Sequence, residues 1–375
     1  MRTRYGSALL AAGLCLVVAG PAHAQSAEPE SQLGGYVAGA AGWAVSFQPV
    51  LPALLPTGDA PVEATLSLST ANVKSGGNSL GRGAIFWPGS AAANLGPLLG
   101  TGASQPFVGG MVPPYPAFVE ASAKDGEVAR SIGPVGGMRA FGSPTRAEGD
   151  VRAPDVNVPG FVKIDSVSSN SAAEVTDIDV TSGCTVHLDG VSLLDGAISF
   201  KSIFSRSATT STGTTSKAEG DLQVAGLKVT GVAAELTADG IHAVGLPPEA
   251  APVPGATGPF PNANPDAALS QALSSLGVTI RMTRSVEKVS GGSADRLANG
   301  VVVSIKNPAV QGGRFDIVLA STGSTALATP LADLGAEGLD LSSSGSDLTG
   351  ALSSAAGDTG GGGGSAGDFS ASPLG

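Results

Sequence analysis

Cysteine, charge and aromatic side chains are all scarce in this chain of 375 residues, and each shortage excludes something. Of the two cysteines, Cys15 falls in an N-terminal apolar run and only Cys184 lies in the remainder, so no internal disulfide is available once that run is removed. A domain without such staples must be held by its core, and a body of about 300 residues is long enough to bury one. Charged residues make up 14% of the chain, against about 25% in an average protein, which excludes a charge-laced helical bundle or coiled coil. Basic residues number 20 against 31 acidic ones, a formal net charge of −11, so there is no basic footprint for a nucleic acid or an anionic membrane surface. Aromatic residues reach only 4%, with two tryptophans and three tyrosines. Three histidines, one of them His23 within the first 24 residues, are too few for a His-rich zinc site.

What is plentiful is glycine, with 55 residues, and proline, with 26, set in a chain whose hydrophobic share of 42% excludes a wholly disordered polyampholyte. Arg2 and Arg4 precede an apolar run from Ala8 to Gly20, then Pro21 and the small-residue site Ala22-His23-Ala24. This is the pattern of a secretory signal peptide over 1–24, with cleavage expected after Ala24. The run is too short for a membrane span, which needs about 20 apolar residues. Leu14 before Cys15 is too large for a lipoprotein cleavage site. Loss of the signal removes two basic residues, so the mature chain is still more acidic.

Residues 25–33 read as a polar leader and 34–320 as a β-rich body, with a candidate subdivision near 150 and a Pro-rich link over 247–264. Within the body, short runs such as Tyr36 to Gln48, Glu63 to Ala71, Gly83 to Trp87 and Ala117 to Ala123 are separated by Pro, Gly and Asn clusters that mark turns. Val162 to Asp165 and Val175 to Val180 alternate apolar and polar residues, one face dry and one wet. Asp189-Gly190 and Asp195-Gly196 suit tight hairpin turns, and Ser205 to Ser216 reads as a solvent-facing arm. Gly190 and Gly226 suggest a weak internal duplication, with two copies too few for a solenoid. Asn264, Pro265 and Gly277 frame one helix, with Leu269, Leu273 and Leu276 on the face expected to lie on a sheet. Strands are expected again at Val278 to Met282, Val301 to Ile305 and Phe315 to Ala320, with Ala298-Asn299-Gly300 as a turn. Residues 321–375 read as a flexible, low-complexity Gly/Ser/Ala tail. The fold class is therefore all-β, an antiparallel sandwich or a β-helix-like body with one short helix.

The signal peptide, the segments Gly-Val-Ser-Leu-Leu-Asp-Gly-Ala-Ile (190–198) and Gly-Leu-Lys-Val-Thr-Gly (226–231), the Leu-rich helix and the Gly/Ser tail together resemble the "choice-of-anchor" group of secreted actinobacterial surface proteins. The resemblance covers roughly 34–320. It implies a body displayed outside the cell, with no assigned chemistry; no cofactor is expected for this chain. The tail departs from the group, having neither an LPxTG-like motif nor an apolar span followed by basic residues. Release or non-covalent attachment is expected instead.

Several residues invite a chemical reading. Gly77-Asn78-Ser79-Leu80-Gly81 fits the G-x-S-x-G nucleophile elbow, with Asp189 and His242 following in the required order, but Arg82 to Pro88 is a poor start for the helix the elbow needs. Cys184 reads as a buried hydrophobe in a strand, and His187, three residues on, faces away from it. Asp177 and Asp179 would share one strand face, where two carboxylates suit Ca²⁺ or glycoside hydrolysis. Lys124-Asp125-Gly126-Glu127 reads as a charged turn. Trp43, Trp87, Tyr36 and Tyr115 all precede residue 120, and Trp43 and Trp87 are the candidate glycan contacts, unless both are core. These readings favour a secreted, non-catalytic structural or binding element of the cell envelope, with cell-wall glycan or a surface protein as partner. The alternatives are a secreted hydrolase acting on wall glycans or esters, through Ser79 or an acidic pair, and a calcium-stabilised adhesin.

Overall fold

Small residues alternating along extended runs build two antiparallel sheets, and a computed structural model describes residues 33–50, 64–87, 117–244, 265–298, 300–306 and 313–331. The chain first forms β1 (Leu33–Val50), β2 (Ala64–Lys74), β3 (Asn78–Trp87) and β4 (Phe118–Ser122). A meander of long hairpins follows: β5 (Gly126–Ser131), β6 (Gly137–Ser143), β7 (Arg146–Val158), β8 (Val162–Val175), β9 (Val180–Leu193) and β10 (Ile198–Ser211). Next come β11 (Ser216–Ala225), β12 (Leu227–Val229), β13 (Val232–Thr237) and β14 (Gly240–Ala243). After α1 (Pro265–Leu276), the chain closes with β15 (Val278–Met282), β16 (Val286–Ser290), β17 (Ser293–Ala298), β18 (Val301–Lys306) and β19 (Arg314–Pro330).

The first sheet has the order β15-β18-β19-β1-β2-β3-β4, with β17 also on β19 and β16 on β17. The second runs β14-β13-β12-β10-β9-β8-β7-β6-β5, with β11 on β10. The two pack face to face as a sandwich, and the pairing is antiparallel throughout, unlike the parallel coils of a β-helix. β1 pairs with β19 along its length, from Leu33 opposite Pro330 to Val50 opposite Arg314, so the first and last described strands are neighbours.

The interior has two chemistries. Towards the turn that joins β9 to β10 it is apolar and mainly aliphatic, with Leu188, Leu193, Ile203, Val303 and Ile317 buried in one cluster with the Phe200 ring. Towards the end where Leu33 meets Pro330, hydroxyls face one another across the sheets. Ser69 Oγ lies 2.6 Å from Ser169 Oγ and 2.8 Å from Ser171 Oγ; Ser205 Oγ is 2.8 Å from Thr322 Oγ1; Ser207 Oγ is 2.7 Å from Ser324 Oγ. At that end glycine lets backbone meet backbone: a Cβ on Gly81 would stand 2.1 Å from the Glu148 carbonyl oxygen, and one on Gly149 2.0 Å from that of Arg82.

A transverse crease crosses each sheet. In the second, Asp155, Asp165, Gly190, Lys201 and Gly226 fall in one row that interrupts the pairing of five strands, and Asp155, Gly190 and Gly226 have φ of +51°, +61° and +63°. In the first, Ser67 and Ala320 at φ +53° and +56° flank Ala44 in the same way. Each interrupted strand of the second sheet gains two consecutive outward positions, as with Asp165 and Ser166 between buried Ile164 and Val167. The neighbours do so together, so register survives.

The crease corrects several expectations. Asp189-Gly190 is no hairpin turn but lies inside β9, while Asp195-Gly196 does sit in the turn between β9 and β10. Gly190 and Gly226 mark no duplication; they flank Lys201 in one row, and their spacing is that of two hairpins. Gly300 is no reversal either, because β17 and β18 run on opposite β19 in a single register. The Ser/Thr run is not a solvent-facing arm up to Ser211: Ser205, Ser207, Thr209 and Ser211 are buried in β10, because the facing sheet offers hydroxyls and carbonyls as partners. Position 150 lies within β7, with no break there, and β19 carries the ordered body on to Pro330, past 320. The helix has the expected bounds, with Gly277 at φ +64°, and packs against β12 and β14 of one sheet and β15 of the other, with Leu269 and Leu273 in the apolar cluster. The signal peptide, its Ala24 cleavage site, the leader up to residue 32, Tyr115, the Pro-rich link and the tail beyond 331 lie outside the described residues.

Candidate functional site

Ser79 sits near the start of β3, paired with Val73 in the first sheet, buried and with no hydrogen-bond partner for Oγ. Asp189 and His242 belong to the second sheet, on β9 and β14, with β10, β12 and β13 between them. The three are not assembled, and Ser79 is on a strand instead of the strained turn a nucleophile elbow requires. Asp177 and Asp179 do not share a strand face. Thr176 to Asp179 is the turn between β8 and β9, made because Thr176 Oγ1 accepts from the backbone N–H of Ile178 and Asp179, at 3.3 and 3.1 Å. Ala123 to Asp125 is a turn leading into β5, with Gly126 at φ +66° and Asp125 accepting from the Ser122 N–H and hydroxyl; these bonds hold its carboxyl below the usual range.

Trp43 has no exposed surface and Trp87 is 6% exposed, so neither ring is offered to a sugar. Both belong to a buried cluster with Leu68 and Ala84, and Phe118 packs edge-on against Trp87 with centroids 5.7 Å apart. Tyr36 is part-buried, and that burial raises its phenol pKa. Cys184 is buried and donates to the carbonyls of Ala41 and Gly323 at 3.1 and 3.2 Å; burial pushes its pKa up to about 12, so the thiol is protonated and inert at neutral pH. Asp316 is also fully buried, with Oδ2 accepting from Arg314 Nε at 3.0 Å, as a structural ion pair.

The second sheet's outer face holds what sequence reasoning missed. Asp189 joins two side chains there: Oδ1 lies 3.3 Å from His187 Nε2, and Oδ2 accepts from Ser166 Oγ at 3.1 Å. Serine and histidine each bind the carboxylate and not one another, so the serine has no base and the group is not a hydrolytic triad. Phe204, directly opposite His187, is half-buried and meets it edge-on with centroids 6.2 Å apart. Across the crease, Asn157, Lys163 and Ser192 stand side by side on β7, β8 and β9 and line a groove of about 470 Å³ with Phe161 and Asp195. Phe161 is 47% exposed. The signal that could have found this face is the pair of adjacent outward residues at Asp165-Ser166 and Asp189-Gly190, which strict alternation hides.

Among the described residues no three His, Cys, Asp or Glu side chains come together as a metal site, and no helix is long and apolar enough to cross a membrane. Compared with known proteins, the chain matches no family model, and no curated protein matches it.

Proposed function

We propose that the protein is secreted and acts as a non-catalytic binding or structural element of the cell envelope. One observation carries the reading: Ser79, Asp189 and His242 lie apart on two sheets, while the long strands β7 to β10 present a broad polar outer face whose groups hold one another. The N-terminal signal pattern, the acidic composition and the likeness to the choice-of-anchor group support an extracellular compartment. Among the described residues, the interior has glycine contacts too close for added side chains and hydroxyls already bonded across the sheets, which suits a rigid displayed body better than an enzyme cleft.

Co-sedimentation of residues 25–375 with insoluble envelope from its own source, with and without added Ca²⁺, tests it. Saturable pelleting is expected; protein that stays in the supernatant under both conditions overturns envelope attachment. Labelling of the folded protein by a fluorophosphonate probe, lost on Ser79→Ala, would instead establish the serine hydrolase.

A further inference from the structure

We infer that the outer face of the second sheet is a platform for an extended, uncharged, hydroxyl-rich sugar chain, lying from Phe204 across the crease into the groove beside Phe161. The inference rests on the envelope-binding reading and names its ligand class. Beside Phe204, His187, Asp189 and Ser166 form a bonded polar cluster. At the crease an acid and a base line the crossing: Asp165 lies over Gly190, whose added Cβ would meet Oδ2 at 2.0 Å, and the Lys201 Cβ lies 2.6 Å from where one on Gly226 would stand. The groove follows, with Asn157, Lys163 and Ser192 on adjacent strands and Phe161 at its end.

Sugar chains suit this sequence of groups. Their C–H faces are apolar and pack on aromatic rings, while their hydroxyls both donate and accept and so match carboxylate, amide, ammonium and hydroxyl partners set side by side. Phe204 is level with His187, and Phe161 with Leu194, whose N–H donates to its carbonyl; these are seven residues apart, at most about 24 Å at the usual strand rise, so an oligosaccharide could reach from one aromatic to the other. The groove's volume lies within the range of about 300–1,000 Å³ typical of ligand sites. Charge decides against polyions: Asp165, Asp189 and Asp195 are interleaved with Lys163 and Lys201, leaving no field of one sign to attract a nucleic acid or an acidic polymer. An added peptide strand is also disfavoured, because β8, β9 and β10 already pair on both edges and the face offers side chains only.

The test is co-sedimentation of residues 25–375 with envelope stripped of protein by protease, before and after digestion of its glycan by glycosidases. Wild type should pellet with the protease-treated material and be released by glycosidase digestion, and Phe204→Ala and Asp189→Asn should each weaken binding about tenfold while far-UV circular dichroism stays unchanged. Phe161→Ala and Lys163→Ala, exposed in the groove, give the same readout should Phe204→Ala unfold, and Val286→Ala on exposed β16 of the other sheet should bind as wild type. Pelleting abolished by protease treatment would point to a protein partner and overturn the inference. Folded platform variants that pellet like wild type would overturn it too, yet leave envelope attachment standing. A wild type that pellets with neither treated nor untreated envelope would overturn both.

Discussion

Where Leu188, Leu193, Phe200 and Ile317 meet, the two sheets are held by the volume and apolar area of large side chains; where Ser69, Ser169, Ser207 and Ser324 meet, they are held by short hydroxyl bonds and by glycines that let the backbones touch. The first arrangement is non-directional, so neighbours can adjust to a lost methyl group at a cost set by the cavity. The second is directional and thin. A hydroxyl that loses its partner there has no water to turn to, and an added methyl has no room. One fold thus contains a core that tolerates exchange and a seam that does not.

Breaking the seam should have the largest effect. Gly149→Ala would place a methyl 2.0 Å from the Arg82 carbonyl oxygen, so the sheets must part, and we expect a loss beyond the roughly 3 kcal/mol usual for overpacking, read as insoluble or unfolded protein. Wild-type stability in that variant would show that the close approach is not required. Leu188→Ala, in the aliphatic half, should cost about 2 to 5 kcal/mol in urea unfolding, with the fold retained. Ser169→Ala should lose about 1 to 2 kcal/mol, and a double-mutant cycle with Ser69→Ala should be non-additive, because the two hydroxyls share a bond; additivity would mean that each is satisfied separately. Cys184→Ser should change stability by less than about 1 kcal/mol, since a hydroxyl can donate to the same carbonyls, and the wild-type thiol should react with Ellman's reagent only after denaturant is added. Smallest of all is the exposed turn at Asp125. Its carboxyl pKa is lowered by Ser122, so its contribution is present above the ordinary carboxyl value and fades as pH falls through the lowered one; Asp125→Asn should flatten that part of a pH–stability curve.

Strand-rich architecture was legible because β-structure writes itself locally: alternation in Val162 to Asp165, turn residues at Asp195-Gly196, a proline and a glycine framing the helix. The seam was not. Ser205 to Ser211 has the composition of a solvated loop, and what buries it is the matching Thr322 and Ser324, more than a hundred positions away. The crease was unreadable for a related reason. A single glycine after aspartate reads as a turn, and only the neighbouring strands' interruption at the same level shows that Asp189-Gly190 bends a sheet without reversing it. The candidate site was the least legible, because the large apolar bodies of the tryptophans are drawn inside, while Phe204 and Phe161 occur in unremarkable contexts.

Leu33 and Pro330 lie side by side at one end of β1 and β19, and Phe161, at the groove of the second sheet, packs on Phe315 near the other end of β19, with ring centroids 5.9 Å apart. The first and last described strands therefore meet at one pole. A tether fastened before Leu33 or after Pro330 would leave the far pole standing away from its support, like the head of a peg. Tension on both ends at once would meet β1 and β19 as a zipper, opened one pair at a time from that pole, whereas a load borne at one end alone would leave the zipper shut.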